Sequence, residues 1–291
     1  MRPFLNITGA TAGLEACKEM KTRVIAAVVL LPLLLLVVLL APKVTIAVLF
    51  GLMAAIAAYE LLHGTGFVKE LRLNIYTMVM ALWTCLWCGL DISYGWLLLG
   101  VLLFWTTLFA EVMFSGMKLS FQKLAFCFAG GILLPLLLGS LVRLHCTLDG
   151  RFYIFIPFVL AFLSDTGAYF AGYFFGKHKL APVISPKKTI EGVVGGVLGA
   201  MVGMVIYCLV MQLFFKYRVN YAFALIYGFV GSLAAVFGDL CFSVIKRQTG
   251  IKDYGNLIPG HGGILDRFDS MMVVGPLAEV LILLIPVVVK V

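Results

Sequence analysis

Charge is what this chain has least of. Of 291 residues only 12% are Asp, Glu, Lys or Arg, 63% are hydrophobic, and the mean hydropathy is +1.09. Soluble domains usually hold about 25% charged and about 45–50% apolar residues, so the shortage excludes an ordinary water-soluble domain and leaves a polytopic membrane protein. A cleavage site is lacking too. No small-residue motif follows the first apolar run, Val24–Ala41, which is long enough to span and reads as a retained helix. The seven cysteines (Cys17, Cys85, Cys88, Cys127, Cys146, Cys208 and Cys241) are odd in number and sit mostly in apolar stretches. Cys85 and Cys88 form a C-x-x-C, but with no second pair or histidine nearby they make neither a zinc site nor a redox motif. They read as buried, reduced thiols.

A hydrocarbon core takes roughly 20 apolar residues per helix, with a range of about 17–25, and backbone groups in lipid must be paired within their own segment. The apolar runs therefore predict an all-α, polytopic integral membrane protein of about nine transmembrane helices. They fall near residues 24–41, 44–62, 74–91, 94–112, 124–142, 153–175, 192–215, 221–245 and 271–289. The cations set the orientation. With the N-terminus cytoplasmic, 16 of the 22 Lys and Arg face the cytoplasm and only Lys43, Arg143, Arg151, Lys216, Arg218 and Lys290 face the other side. Loops 176–191 and 246–270 then share the cytoplasmic face. The chain divides into an N-terminal extension, 1–19, with no assigned function, N-terminal transmembrane helices, 20–150, and a C-terminal transmembrane catalytic region, 151–291. The net charge of +8 fits the topology rule and attraction to anionic lipid as well as it fits an anionic substrate.

The charge that does occur is concentrated. Ser243, Lys246, Arg247, Lys252, Asp253, His261, Asp266, Arg267 and Asp269 lie in one segment, with Gly260, Gly262 and Gly263 around the histidine. Ionisable groups between two spans mark a functional site by default. Lysine and arginine here offer charge-assisted donors, and Arg forks onto two phosphate oxygens. Asp239, at the end of the preceding apolar helix, meets Asp266 if the loop folds back, and magnesium is usually held by one or two carboxylates plus substrate phosphates. Two metals would clamp an in-line displacement at phosphorus. Glycines let backbone approach a phosphate that a side chain would block. The plainer alternative is a positive-inside loop with surface ion pairs.

A second constellation runs from Ser164-Asp165-Thr166-Gly167 to Ser185-Pro186-Lys187-Lys188-Thr189-Ile190-Glu191. Asp165 lies inside an apolar helix and needs a partner there. Lys187 and Lys188 precede a helix beginning near Thr189, whose amides and dipole favour an anion. Equally, Thr189 with Glu191 caps that helix and Lys177, Lys179 and their neighbours mark topology. Gly192, Gly196, Gly199 and Gly203 share a helix face and read as a packing stripe. Glu60, Glu111 and Glu279 sit near span ends, where snorkelling is cheap, and receive no catalytic role. His63, His145 and His178 are isolated.

The segment Ser243–Asp269 resembles the signature of phosphatidate cytidylyltransferases, also called CDP-diacylglycerol synthases. That signature reads S-x-x-K-R, four residues, K-D, then P-G-H-G-G-x-x-D-R-x-D, and every position is filled. Such a length of fixed spacing is far more specific than short motifs. The Asp165 stretch and Ser185-Pro-Lys-Lys-Thr189 also resemble family segments, and the resemblance runs from about Met20 onward. Two departures are visible, Ile190 where relatives often carry an aromatic residue and Phe242 where many have an acid; they bear on local details of the pocket.

The resemblance implies transfer of CMP from CTP to phosphatidate in the cytoplasmic leaflet, giving CDP-diacylglycerol and pyrophosphate for phospholipid biosynthesis. It implies magnesium, with a potassium ion as a second cation, and a homodimer, multi-pass in the cell's inner (plasma) membrane, whose site faces the cytoplasm. Nothing in it implies a nucleic acid. Asp239 and Asp266 are the expected metal ligands, with Lys246, Arg247 and Arg267 the other catalytic candidates. Asp165, Ser185, Lys187, Lys188, Thr189, Ser243, Lys252, Asp253, His261, Gly262, Gly263 and Asp269 are the expected substrate-binding residues. Two rivals remain on sequence grounds. A CTP-dependent lipid kinase would phosphorylate an alcohol and need a base for its hydroxyl. A transporter would place paired charges in broken helices of an inverted repeat, and no repeat is visible here.

Overall fold

The computed structural model of the chain describes residue 34 and residues 36–257 and 262–290. The extension 1–19, most of the predicted span 24–41, and His261 lie outside these described residues. Among the described residues seven helices are long and apolar enough to cross a bilayer. The first, α1 (Lys43–Tyr59), runs on into a π-helical turn, Glu60–Gly64; α2 is Leu71–Gly89 and α3 is Tyr94–Phe114. The fourth span joins α4 (Phe121–Phe128), a π-helical turn (Ala129–Leu133) and α5 (Leu134–Cys146). A short α6 (Gly150–Tyr153) leads into α7 (Phe155–Phe175), followed by α8 (Ile190–Phe215) and α9 (Tyr221–Gln248). These answer to the predicted spans from 44–62 to 221–245.

The ninth expected span is shorter than predicted. After α10 (Leu265–Phe268), α11 covers only Met271–Leu284, 14 residues, or roughly 21 Å at about 1.5 Å per residue. The helix stops because Ile285 precedes Pro286 and leaves the helical region at φ −140°, as pre-proline sterics require. Val288–Lys290 (β4) then pairs antiparallel with Tyr217–Val219 (β3), and a second hairpin joins β1 (Lys179–Ala181) to β2 (Ser185–Thr189).

Local chemistry explains the irregularities. Pro135 has no N–H for the Gly131 carbonyl four residues earlier; the chain makes a π-helical turn there, and Thr84 Oγ1 donates to Gly131 O at 3.3 Å instead. The glycine stripe of α8 packs on α7, the most extensive helix pair in the molecule. A Cβ on Gly192, Gly196 or Gly199 would meet the carbonyls of Ala168, Ser164 and Leu163 at 3.0, 2.9 and 2.6 Å. Backbone-to-backbone approach of this kind is what small residues permit in membranes, and it holds Asp165 of α7 near the β2–α8 junction. One buried core draws on α1 to α5 together with Phe158, Leu265, Phe268 and Met271; a second joins α7, α8, α9, α11, β3 and β4. Among the described cysteines, Cys85, Cys127 and Cys208 are buried and all six are unbridged.

Candidate functional site

The last three turns of α9 carry Asp239, Ser243 and Lys246, spaced four and three apart and so on one helix face. Ser243 Oγ donates to Asp239 Oδ1 at 3.2 Å. Asp239 Oδ2 forms an ion pair with Lys188, which the β1–β2 hairpin carries over to α9. Arg247 Nε donates to Ile184 O at 3.1 Å and ties the same hairpin down a second time. The two loops assigned to one membrane face by their cations therefore meet.

Lys246 has a different partner. Its Nζ lies 2.9 Å from Asp266 Oδ1 and 5.4 Å from the centroid of the Tyr254 ring, and both side chains of the ion pair are buried, at 10% and 2% exposed. Asp266 Oδ2 accepts the amides of Tyr254 at 2.8 Å and Gly263 at 3.1 Å. An unpaired buried carboxylate would be costly; here both oxygens are satisfied by protein donors. Gly262 has φ +82°, a left-handed conformation suited to glycine, and a Cβ there would stand 2.9 Å from Asp266 Oδ2. Gly262 and Gly263 thus make room for protein carboxylates.

Asp269 follows on α10's far side, with Oδ1 accepting the Ser270 amide at 2.7 Å. Gly238 lets this backbone lie against α9, since a Cβ there would meet Asp269 O at 2.9 Å. Burial, and then the nearby Asp239 carboxylate, push the Asp269 carboxyl above the usual carboxylate range. Asp165 on α7 lies within electrostatic reach of Lys188, Asp239 and Arg267. Asp165, Asp239, Asp269, Lys188 and Arg267 thus form one charged cluster drawn from α7, β2, α9 and the α10 segment.

The remaining expected site residues fall into three groups. Thr189 is buried and caps α8, accepting the Gly192 amide at 3.1 Å, while Glu191 turns back to the amides of Lys177 and His178. Thr189 thus caps the helix, as one of the two alternatives has it, while Glu191 bonds elsewhere. Ser185 is half-buried at the start of β2, and Lys187, Lys252 and Asp253 are exposed. His261 lies outside the described residues. The two expected metal carboxylates have separate partners, Asp239 on Lys188 and Ser243, Asp266 on Lys246 and two amides.

Glu60 is the residue that sequence reasoning passed over. It does not snorkel: it is 5% exposed and accepts the amides of Ile264 at 3.0 Å and Leu265 at 2.8 Å. Glu279 does not snorkel either, being held in a two-bond pair by Arg143, both bonds at 2.7 Å. The signal in each case was a carboxylate inside an apolar helix, which by default has a partner.

With this geometry the chain can be placed among known proteins. Residues 21–285 match the Cytidylyltransferase family, and the chain belongs to that family. The phosphatidate cytidylyltransferase of Staphylococcus epidermidis is 35% identical over 269 residues, covering 90% of this chain and 97% of that one. Those of Staphylococcus saprophyticus and Staphylococcus aureus are 40% and 41% identical over 176 and 166 residues, covering 60% and 57% of this chain.

Proposed function

We propose that this chain transfers the cytidylyl group of CTP to phosphatidate, releasing pyrophosphate and leaving CDP-diacylglycerol. The observation that carries the reading is the interlocked charge cluster at one end of the bundle. The ion pairs Lys188–Asp239 and Lys246–Asp266 each have one member on α9, seven residues apart, and tie it to β2 and to α10, in a chain whose family and relatives are cytidylyltransferases. Phosphatidate, a phosphate monoester with a second pKa near 6, is already an anionic nucleophile at neutral pH. Its phosphate oxygen attacks the α-phosphorus of CTP, and the bond to the β,γ-pyrophosphate breaks. No general base is needed, so the protein's work is to position two anions and offset their charge. Lys188 and Arg267 border the charged cluster and hold the phosphates, with Arg247 securing the hairpin that bears Lys188.

The donor set fits magnesium. Among the described residues no three side chains are placed to hold a metal ion by themselves, so the ion would need water and substrate phosphates beside one or two carboxylates. Asp239, half-buried and bordered by Asp165 and Asp269, would hold it. Asp266 would join only by giving up a bond to Lys246 or to an amide. The bound ion supplies neutralisation of the triphosphate charge; potassium, the homodimer and the inner-membrane setting remain part of the proposal by family resemblance. The 16 to 6 division of cations supports an N-terminus and site on the cytoplasmic side.

The test is purified protein with labelled CTP, magnesium and phosphatidate, read for CMP attached to lipid and for free pyrophosphate. A lipid kinase would release CDP and a transporter would form no product. Asp239→Asn should lose about 10²-fold or more in turnover. Near-normal turnover in both Asp239→Asn and Asp266→Asn would sink the metal assignment.

A further inference from the structure

The amides of Gly263, Ile264 and Leu265, at and just before α10, all have carboxylate partners within the protein. Gly263 N donates to Asp266, while Ile264 N and Leu265 N donate to separate oxygens of Glu60. We propose that Glu60 is a positioning residue of this site, fixing the segment 262–269 so that Asp266, Arg267 and Asp269 stand where transfer needs them. The proposal rests on the cytidylyltransferase reading above and adds to it a residue from the far end of the chain.

Four features support it. Glu60 opens a π-helical turn, an irregularity frequent at functional sites. That turn touches the loop at more than the carboxylate: a Cβ on Gly64 would collide with the Tyr254 carbonyl. Gly263 and Gly255 both face the Glu60 carboxylate, and a Cβ on Gly263 would collide with it while one on Gly255 would lie 2.6 Å from Oε1. Finally, Phe268 of α10 meets Phe50 of α1 edge-on, centroids 6.4 Å apart, so the same two elements are clamped on the apolar side. The segment is held to α1 on both faces.

The consequence is a split in kinetics. Lys188 on β2 and Asp239 on α9 lie outside the segment that Glu60 holds, and of the proposed phosphate contacts only Arg267 moves with it, so CTP binding survives its loss better than turnover does. Glu60→Ala should lower kcat by about 10²-fold, the scale of a misplacement near 1 Å, with a much smaller change in KM for CTP. Glu60→Gln keeps one acceptor and should lose about 10-fold, one buried donor being left unpaired.

A double-mutant comparison separates positioning from general damage. Gly263→Ala should lower kcat in the unaltered protein, because its methyl displaces the Glu60 carboxylate. In the Glu60→Ala background it should cost nothing further, since the space is vacated. Each variant is purified in detergent and checked by size-exclusion chromatography, so that kcat is per folded molecule; if Glu60→Ala fails to fold, Glu60→Gln alone serves, read for its fall in kcat against a KM for CTP that changes much less. Unchanged kcat in the Glu60 variants, or an equal Gly263→Ala penalty in both backgrounds, overturns the proposal alone. Failure of the unaltered protein to make CDP-diacylglycerol overturns the reaction reading and the proposal with it.

Discussion

Replacing Arg143 by Met should destabilise the protein far more than replacing Arg143 and Glu279 together. Arg143 on α5 gives Glu279 on α11 two bonds of 2.7 Å, and its guanidinium also contacts the Leu136 carbonyl at 3.3 Å and Cys88 Sγ at 3.1 Å. The side chains are 29% and 21% exposed, so neither is well solvated. Losing the arginine leaves a carboxylate stranded inside the helix bundle, at a cost of about 3–5 kcal/mol. At about 2–4 °C per kcal/mol for a chain of this size, the midpoint of unfolding falls on the order of 10 °C. In Arg143→Met/Glu279→Leu no charge is stranded and apolar contact replaces the pair, so stability returns to within about 1 kcal/mol of the starting protein. The assay follows from the cysteines. Cys85, Cys127 and Cys208 are buried, so a thiol-reactive dye reports unfolding in detergent as they emerge. A single-mutant loss below about 1 kcal/mol, or a double mutant as unstable as the single, would refute the reasoning.

Two further predictions concern the site. Gly195→Ala drives a methyl into Ala171 and to 2.7 Å from the Gly167 carbonyl; prising α7 from α8 should cost about 1–3 kcal/mol, seen by the same dye assay, and lower activity because Asp165 moves with α7. Lys188→Met strips Asp239 of its cation and should cut kcat/KM for CTP about 10²-fold. Lys187→Met, one residue away but exposed, should change it by less than about threefold; equal losses at the two lysines would contradict the pairing.

Much of this arrangement is legible in local sequence. The spans follow from apolar runs, the α8 glycine stripe from its four, three, four spacing, and the Asp239–Ser243–Lys246 face from helical periodicity. One signal close at hand was missed, and it is physical and simple: Pro286 stops α11. Other features lie beyond periodicity. Glu60 and Ile264 are 204 residues apart, Arg143 and Glu279 136, and nothing in either member's neighbourhood names the other. Gly262 and Gly263 face carboxylates distant in the chain or across a turn, and a tight turn beside an anion looks the same in sequence whether the anion is a ligand or a side chain.

The Glu60 anchor also sets an order of events during synthesis. Its helix is made 204 residues before Ile264, and at about 5–20 residues per second that interval is roughly 10–40 s. Throughout it the second predicted span resides in or beside the membrane with its carboxylate lacking both amides. A nascent chain halted before α10 can therefore hold most of its spans and still have no assembled site. Completion of the enzyme is a late event, gated by the arrival of a short segment near the end of the chain at a residue that has been waiting near the beginning.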